Sequence, residues 1–236
     1  MMKSFEKFAN SLREAWELVI DVRYPFAFED PQEPDPVLQA ALIPFCGCAA
    51  GILLAALGKV VPGGGAGNLL WALIALSLLD LKDSGRAVKF ISQKVSGVIF
   101  RNNSGDFISA LNVELMLLRL ASLFVTAWQD SFGCMIPVLT AVFAVESFLA
   151  VNNPCPIIEL ENRERKFIWI VPAVVAFFTF WSMPLCTVVC VGLSAAVVWC
   201  FKTRVWKEDH PVSGDDITLC AGALELLLLV CAMTIF

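Results

Sequence analysis

Asp80 and Asp83 stand three residues apart, so both carboxylates lie on one face of a helix. That arrangement can hold a hard divalent cation such as magnesium alongside substrate phosphates. Lys82 and Arg86 stand beside them and can meet phosphate oxygens, unless all four simply solvate a helix end. A second group is Ser213-Gly214-Asp215-Asp216, just ahead of a long apolar run. A helix starting there presents free amides to an anion, unless Ser213 or Asp215 caps it. His210, the only histidine, either carries a proton near neutral pH or is an incidental loop residue. A third group is set inside apolar runs: Glu114, Arg119, Glu146 and Glu225. Ionisable groups at such places are costly in lipid and either pair between helices or serve function. Glu114 and Arg119 are five apart and do not share a helix face, so their partners are expected on other helices.

Cysteine chemistry is not indicated. The nine cysteines are odd in number, scattered, and mostly inside apolar runs, where cysteine packs as a small hydrophobe. With one histidine in the chain, a zinc site is not expected.

The elements that must carry these groups follow from composition. Of 236 residues, 58% are hydrophobic and 17% charged, well beyond a soluble domain on the first count and below it on the second. Mean hydropathy is +0.74. A net charge of −5 with no domain-scale basic patch does not indicate a nucleic-acid partner, and none is expected. The surplus apolar residues fall into long runs, so the reading is all-α: a polytopic transmembrane bundle of about six or seven spans. Spans are expected at 38–60, 68–80, 108–128, 133–150, 167–184, 186–201 and 217–236, the second and sixth being short for a crossing that takes about twenty residues. Residues 1–36 form a separate region, an amphipathic helix followed by an acidic, proline-rich linker, and 37–236 the membrane domain. Phe5, Phe8, Leu12, Trp16 and Val19 recur at helical spacing, which suits a helix on the membrane surface or one packed on the protein's own loops. Charges too frequent for a signal peptide interrupt this stretch.

Charge distribution gives orientation. Fifteen of the seventeen Lys and Arg residues lie in the N-terminal region or in 81–107, 151–166 and 202–216, all on one side of the alternating spans. Only Lys59, at a span end, and Arg119, within a span, fall elsewhere. By the positive-inside rule the basic side is cytoplasmic, which puts Asp80, Asp83 and Asp215 there too.

Several segments in order resemble one family, the membrane-embedded cobalamin synthases, or adenosylcobinamide-GDP ribazoletransferases. Arg23-Tyr24-Pro25 resembles the family's T-R-[I/L]-P, and Pro44-Phe45-Cys46-Gly47 with Gly51 its P-x-x-G-x-x-x-G first span. Arg86-Ala87-Val88, leading to Gly97, is similar to R-A-L-x-I-M-K-D-x-x-x-G. Ser213-Gly214-Asp215 with Gly222-Ala223-Leu224-Glu225-Leu226 resembles the closing T-G-D…G-A…E-L. The family's acidic signature, H-x-D-G-x-x-D-x-x-D, is half present: Asp80 and Asp83 match its last two carboxylates, whereas Ile74 and Leu76 stand at the His and first Asp. The family's K-D pair falls on Ser92-Gln93, and 101–106 has no counterpart.

The resemblance implies a protein of the bacterial or archaeal cytoplasmic membrane with corrinoid and nucleotide substrates. Its chemistry is displacement at a pyrophosphate: the hydroxyl of α-ribazole or its phosphate attacks the cobinamide-linked phosphorus and GMP leaves. Magnesium would be held by Asp80 and Asp83, with Asp215 orienting metal or phosphate, and Lys82, Arg86, Ser213 and Gly214 near the phosphates. A homo-oligomer or a complex with pathway enzymes fits the same picture. The depleted signature equally suits a catalytically inactive relative acting as a scaffold or transporter subunit. A channel or secondary transporter is disfavoured, because no inverted repeat is visible.

Overall fold

Apolar runs in lipid must pair their backbone groups within the segment, which favours helices. The computed structural model describes residues 2–19, 35–61, 63–83, 86–100, 104–152, 158–161, 163–204 and 213–235; the side chains of 2–6, 17–19, 81–83, 99–100, 201–202, 204 and 235 lie outside that description. Every regular element among the described residues is helical: α1 (Met2–Val19), α2 (Pro36–Val60), α3 (Gly65–Asp83), α4 (Arg86–Val95), α5 (Gly105–Trp128), α6 (Met135–Val151), α7 (Ile170–Ser182), α8 (Pro184–Arg204) and α9 (Gly214–Ile235). Short tight turns of helix lead into α6 and α7, at Phe132–Cys134 and Arg165–Trp169, and a π-helical turn at Ser96–Phe100 extends α4.

Five helices are long and apolar enough to cross a membrane: Pro36–Val60, Gly105–Trp128, Phe132–Val151, Arg165–Ser182 and Gly214–Thr234. Gly65–Asp80 and Pro184–Cys200 are apolar but shorter, and these are the second and sixth expected spans. Aromatic and branched side chains on α7 and α8, among them Phe177, Phe178, Trp181 and Val188, face outward. Such a surface suits lipid and not water.

Helix α6 is the centre of the bundle. Its span is 78% buried, against 11% for the span that includes α7. It packs most closely on α2, because α2 turns glycines toward it. A Cβ on Gly51 would stand 2.6 Å from the Cα of Ile136, and one on Gly47 would stand 2.7 Å from the Leu139 carbonyl oxygen. Only a residue without a side chain allows the two backbones to approach so near, and without a hydrophobic drive between helices in lipid this packing is what binds them. Further along, Gly58 makes room for the Phe132 ring. That ring meets Trp71 of α3 edge-on at 5.0 Å, and the Trp71 indole N–H donates to the Leu54 carbonyl at 2.9 Å. Ser147 of α6 ties in the other end of α2 by donating to the Ala40 carbonyl.

Helix α2 starts where its sequence says it should. Asp35 is the N-cap, accepting from the Val37 and Leu38 amides, and Pro36 fills the first turn, where no amide is needed. Helix α1 is fastened to this cap. Lys7 pairs with Asp35 at 3.0 Å, the Asp35 amide donates to Ser11 Oγ, and Asn10, Ser11 and Ala15 are buried. One face of α1 thus packs on the protein itself.

The 81–107 stretch, expected as a loop, contains α4. Ala87, Val88, Ser92 and Ser96 recur at helical spacing and are buried against α5 and α9, while Lys89, Gln93 and Lys94 are exposed. The contact with α9 is close because Gly222 has no side chain to strike Ala87.

Candidate functional site

Three helices meet at one buried charge. Arg119 of α5 is 3% exposed, and it donates through Nη1 to Asp80 Oδ1 of α3 at 2.8 Å and through Nη2 to Glu225 Oε1 of α9. The Glu225 side chain is 2% exposed and that of Asp80 28%, so the cluster is closed on the α9 side and reachable from the α3 side. Glu225 Oε2 is buried with no hydrogen-bond partner among the described residues. Among the described residues, the cluster holds two carboxylates and one guanidinium. Hydrogen bonds of this charge-assisted kind are the strong ones, and a planar guanidinium suits two acceptors at once.

The expectation that Arg119 finds partners on other helices is therefore met twice over, by residues 39 and 106 positions away. Glu114 is exposed on α5, away from this cluster, and Glu146 is half-buried on α6. Arg86 begins α4 as an exposed residue. Lys82 and Asp83 belong to the last turn of α3, and their side chains lie outside the described residues. The same holds for Arg23-Tyr24-Pro25 and His210 as whole residues.

At the start of α9, Ser213 and Asp216 cap each other. Ser213 Oγ donates to Asp216 Oδ2 at 2.8 Å and accepts from the Asp216 amide at 3.3 Å, and the Ser213 amide donates to the same carboxylate. This is a reciprocal capping box with aspartate in the acidic position. The anion at this helix start is thus the chain's own carboxylate, and Gly214 and Asp215 are exposed beside it.

Magnesium can be tested against these donors. Ten residues separate Asp215 from Glu225, about 15 Å along a helix, so Asp215 cannot share a cation with the Asp80–Glu225 level. Asp80 and Glu225 do converge, but on a guanidinium that takes one oxygen from each. Among the described residues no three His, Cys, Asp or Glu are grouped to hold a metal ion. Of the two carboxylates expected to hold magnesium, Asp80 has one oxygen taken by Arg119, and the Asp83 side chain lies outside the described residues. The described cysteines are all free; Cys186 and Cys190, one turn apart on α8, are buried.

No family model, curated protein or solved structure matches the chain.

Proposed function

We propose that this chain is a catalytically silent membrane relative of the adenosylcobinamide-GDP ribazoletransferases, serving as a scaffold or partner subunit in the cytoplasmic membrane of a bacterium or archaeon. It crosses the bilayer seven times, with the two shorter apolar helices completing the count and the basic segments cytoplasmic. Helix α1 lies at that same surface, resting on α2 with its other face toward lipid headgroups. The observation that carries the reading is Arg119. Asp80, which the resemblance would assign to a cation together with Asp83, is bound to its guanidinium, as is Glu225 of the closing motif. A positive charge fixed in the chain occupies one oxygen of each carboxylate, so the site holds three helices together. A homo-oligomer or an assembly of corrinoid-pathway enzymes would be its setting.

A second reading, the active transferase, is favoured by one observation. Asp80 and Glu225, 145 residues apart and each matched by the resemblance, meet at a single point. In that reading the α-ribazole hydroxyl attacks the cobinamide-linked phosphorus, GMP departs, and exposed Asp215 and Gly214 face the phosphates. GMP release from adenosylcobinamide-GDP and α-ribazole, measured in proteoliposomes with and without magnesium, separates the two. The silent relative releases none. Magnesium-dependent release that Asp80→Ala or Asp83→Ala abolishes overturns it and establishes the transferase.

A further inference from the structure

Helix α5 turns one side to its neighbours and leaves the other bare. Arg119, Ser122, Leu123, Thr126 and Ala127 are buried on the side that packs against α3, α4 and α9, yet only 17% of the span is buried. The open side carries Val113, Leu117 and Trp128, each more than half exposed. Lipid suits such a surface. Glu114 is exposed among them and does not suit it. The span that includes α7 is barer still, at 11% buried, but Ile170–Ser182 holds no charged residue.

Depth makes the carboxylate costly. Trp128 stands at the helix end, the interfacial level where tryptophan settles, and Glu114 lies fourteen residues back, about 21 Å along the axis. In a hydrocarbon core of about 30 Å that is about 9 Å inside the opposite edge. So short a side chain does not reach the headgroups from there. Carboxylates at such places almost always face the bundle interior or a water-filled cavity, and pair there. Glu114 faces outward and makes no hydrogen bond or ion pair among the described residues. Arg119 is on the buried side of the helix and is held by Asp80 and Glu225. Ala110, one turn before Glu114, and Ala121, two turns after, are exposed on the same side, so a second helix can approach closely.

Whatever covers this side has to bring a positive charge to hydrocarbon depth. A second copy does not offer one. Among the described residues Arg119 is the only Lys or Arg well inside a span, and it is buried. We propose that the exposed side of α5 docks a transmembrane helix of a different protein, one that carries Lys or Arg about six residues inside one end of its span. The pair exchanges lipid contact for a charge-assisted bond, and the two alanines bring the backbones near enough to make it. The face lies opposite the Arg119 cluster and serves a silent relative and an active transferase alike, since GMP release does not enter its test.

The probe is a synthetic leucine–alanine transmembrane helix with one Lys at the depth of Glu114 and a dansyl group at the end nearest Trp128. Energy transfer from tryptophan is followed in liposomes that hold the full chain, and a twin peptide with Leu in place of Lys sets the level of random encounter. The Lys peptide is expected to give saturable transfer above its twin. Glu114→Gln, which keeps the shape and removes the charge, weakens the association roughly fivefold. Ala110→Phe, at an exposed position, weakens it too, and circular dichroism verifies that the helices persist. Equal transfer to both peptides, or an unchanged affinity in Glu114→Gln, overturns the proposal. Sedimentation equilibrium of the chain alone in micelles reads the other occupant. A monomer is expected, and a dimer that Glu114→Gln dissociates assigns the face to a second copy and overturns the foreign partner.

Discussion

Arg119→Met removes the guanidinium shared by Asp80 and Glu225 while keeping a long unbranched side chain in the same space. The cost falls unevenly on the two carboxylates. Glu225 is 2% exposed and would be left as a charge in an apolar core, whereas the Asp80 side chain is 28% exposed and can recover hydration. Breaking a buried pair from one side typically costs about 3–5 kcal/mol. Most of it here belongs to Glu225. Removing the stranded charge together with the arginine, in Arg119→Met/Glu225→Leu, should return most of that loss, because a buried ion pair replaced by apolar groups is often neutral or stabilising. The assay is reversible SDS unfolding from mild detergent micelles, followed by helical circular dichroism, with both variants and Glu225→Leu alone completing the cycle. An Arg119→Met protein within about 0.5 kcal/mol of the parent would refute the reasoning, being the range of an ordinary surface change. So would a double variant no more stable than the single one.

The same assay bears on three other places. Gly51→Ala puts a Cβ 2.6 Å from the Ile136 Cα, where only backbone can yield, so it should cost about 1–3 kcal/mol; Gly63→Ala, with open space around it, should not register. Trp71→Phe gives up the indole bond to the Leu54 carbonyl and should cost about 1 kcal/mol or more. Asp35→Ala removes the α2 cap at a cost of about 1 kcal/mol. Its pH dependence has a definite sign. The hydrogen bond from Lys7, helped by the Leu38 and Val37 amides, holds the Asp35 carboxyl below its ordinary value of 3.8 in spite of partial burial. A carboxyl depressed by folding stabilises fully above the unfolded value and loses that contribution as pH falls through the folded one. The stability curves of parent and Asp35→Ala should therefore differ at neutral pH and converge in acid below 3.8.

Span positions were legible because run length and apolar content are local properties: 108–128 expected against Gly105–Trp128 found, 133–150 against Phe132–Val151. Helix α4 was hidden by its own charges. Lys89 and Lys94 make 81–107 look like a loop, yet Ala87, Val88, Ile91 and Val95 already carry a helical stripe at 3.6-residue spacing. That signal was present and could have been followed. The pairing at Arg119 is different in kind. That a buried arginine needs an acceptor follows from its type, but that Asp80 and Glu225 supply it depends on α3 and α9 both packing on α5, a non-local outcome no spacing encodes. The spacing of Asp80 and Asp83 suggests a cation ligand but carries no sign of the guanidinium that takes one Asp80 oxygen.

The glycine contact between α2 and α6 has a consequence in time. Ile136 is made 85 residues after Gly51, an interval on the order of ten seconds at roughly 5–20 residues per second of synthesis. Throughout it the grooved side of α2 exists without the helix it was shaped for. Whatever shelters that groove during translation, lipid or insertion machinery, must release it to α6 on schedule. A substitution at Gly51 would thus first reduce how much protein reaches the membrane assembled, before it changes how long the assembled protein lasts.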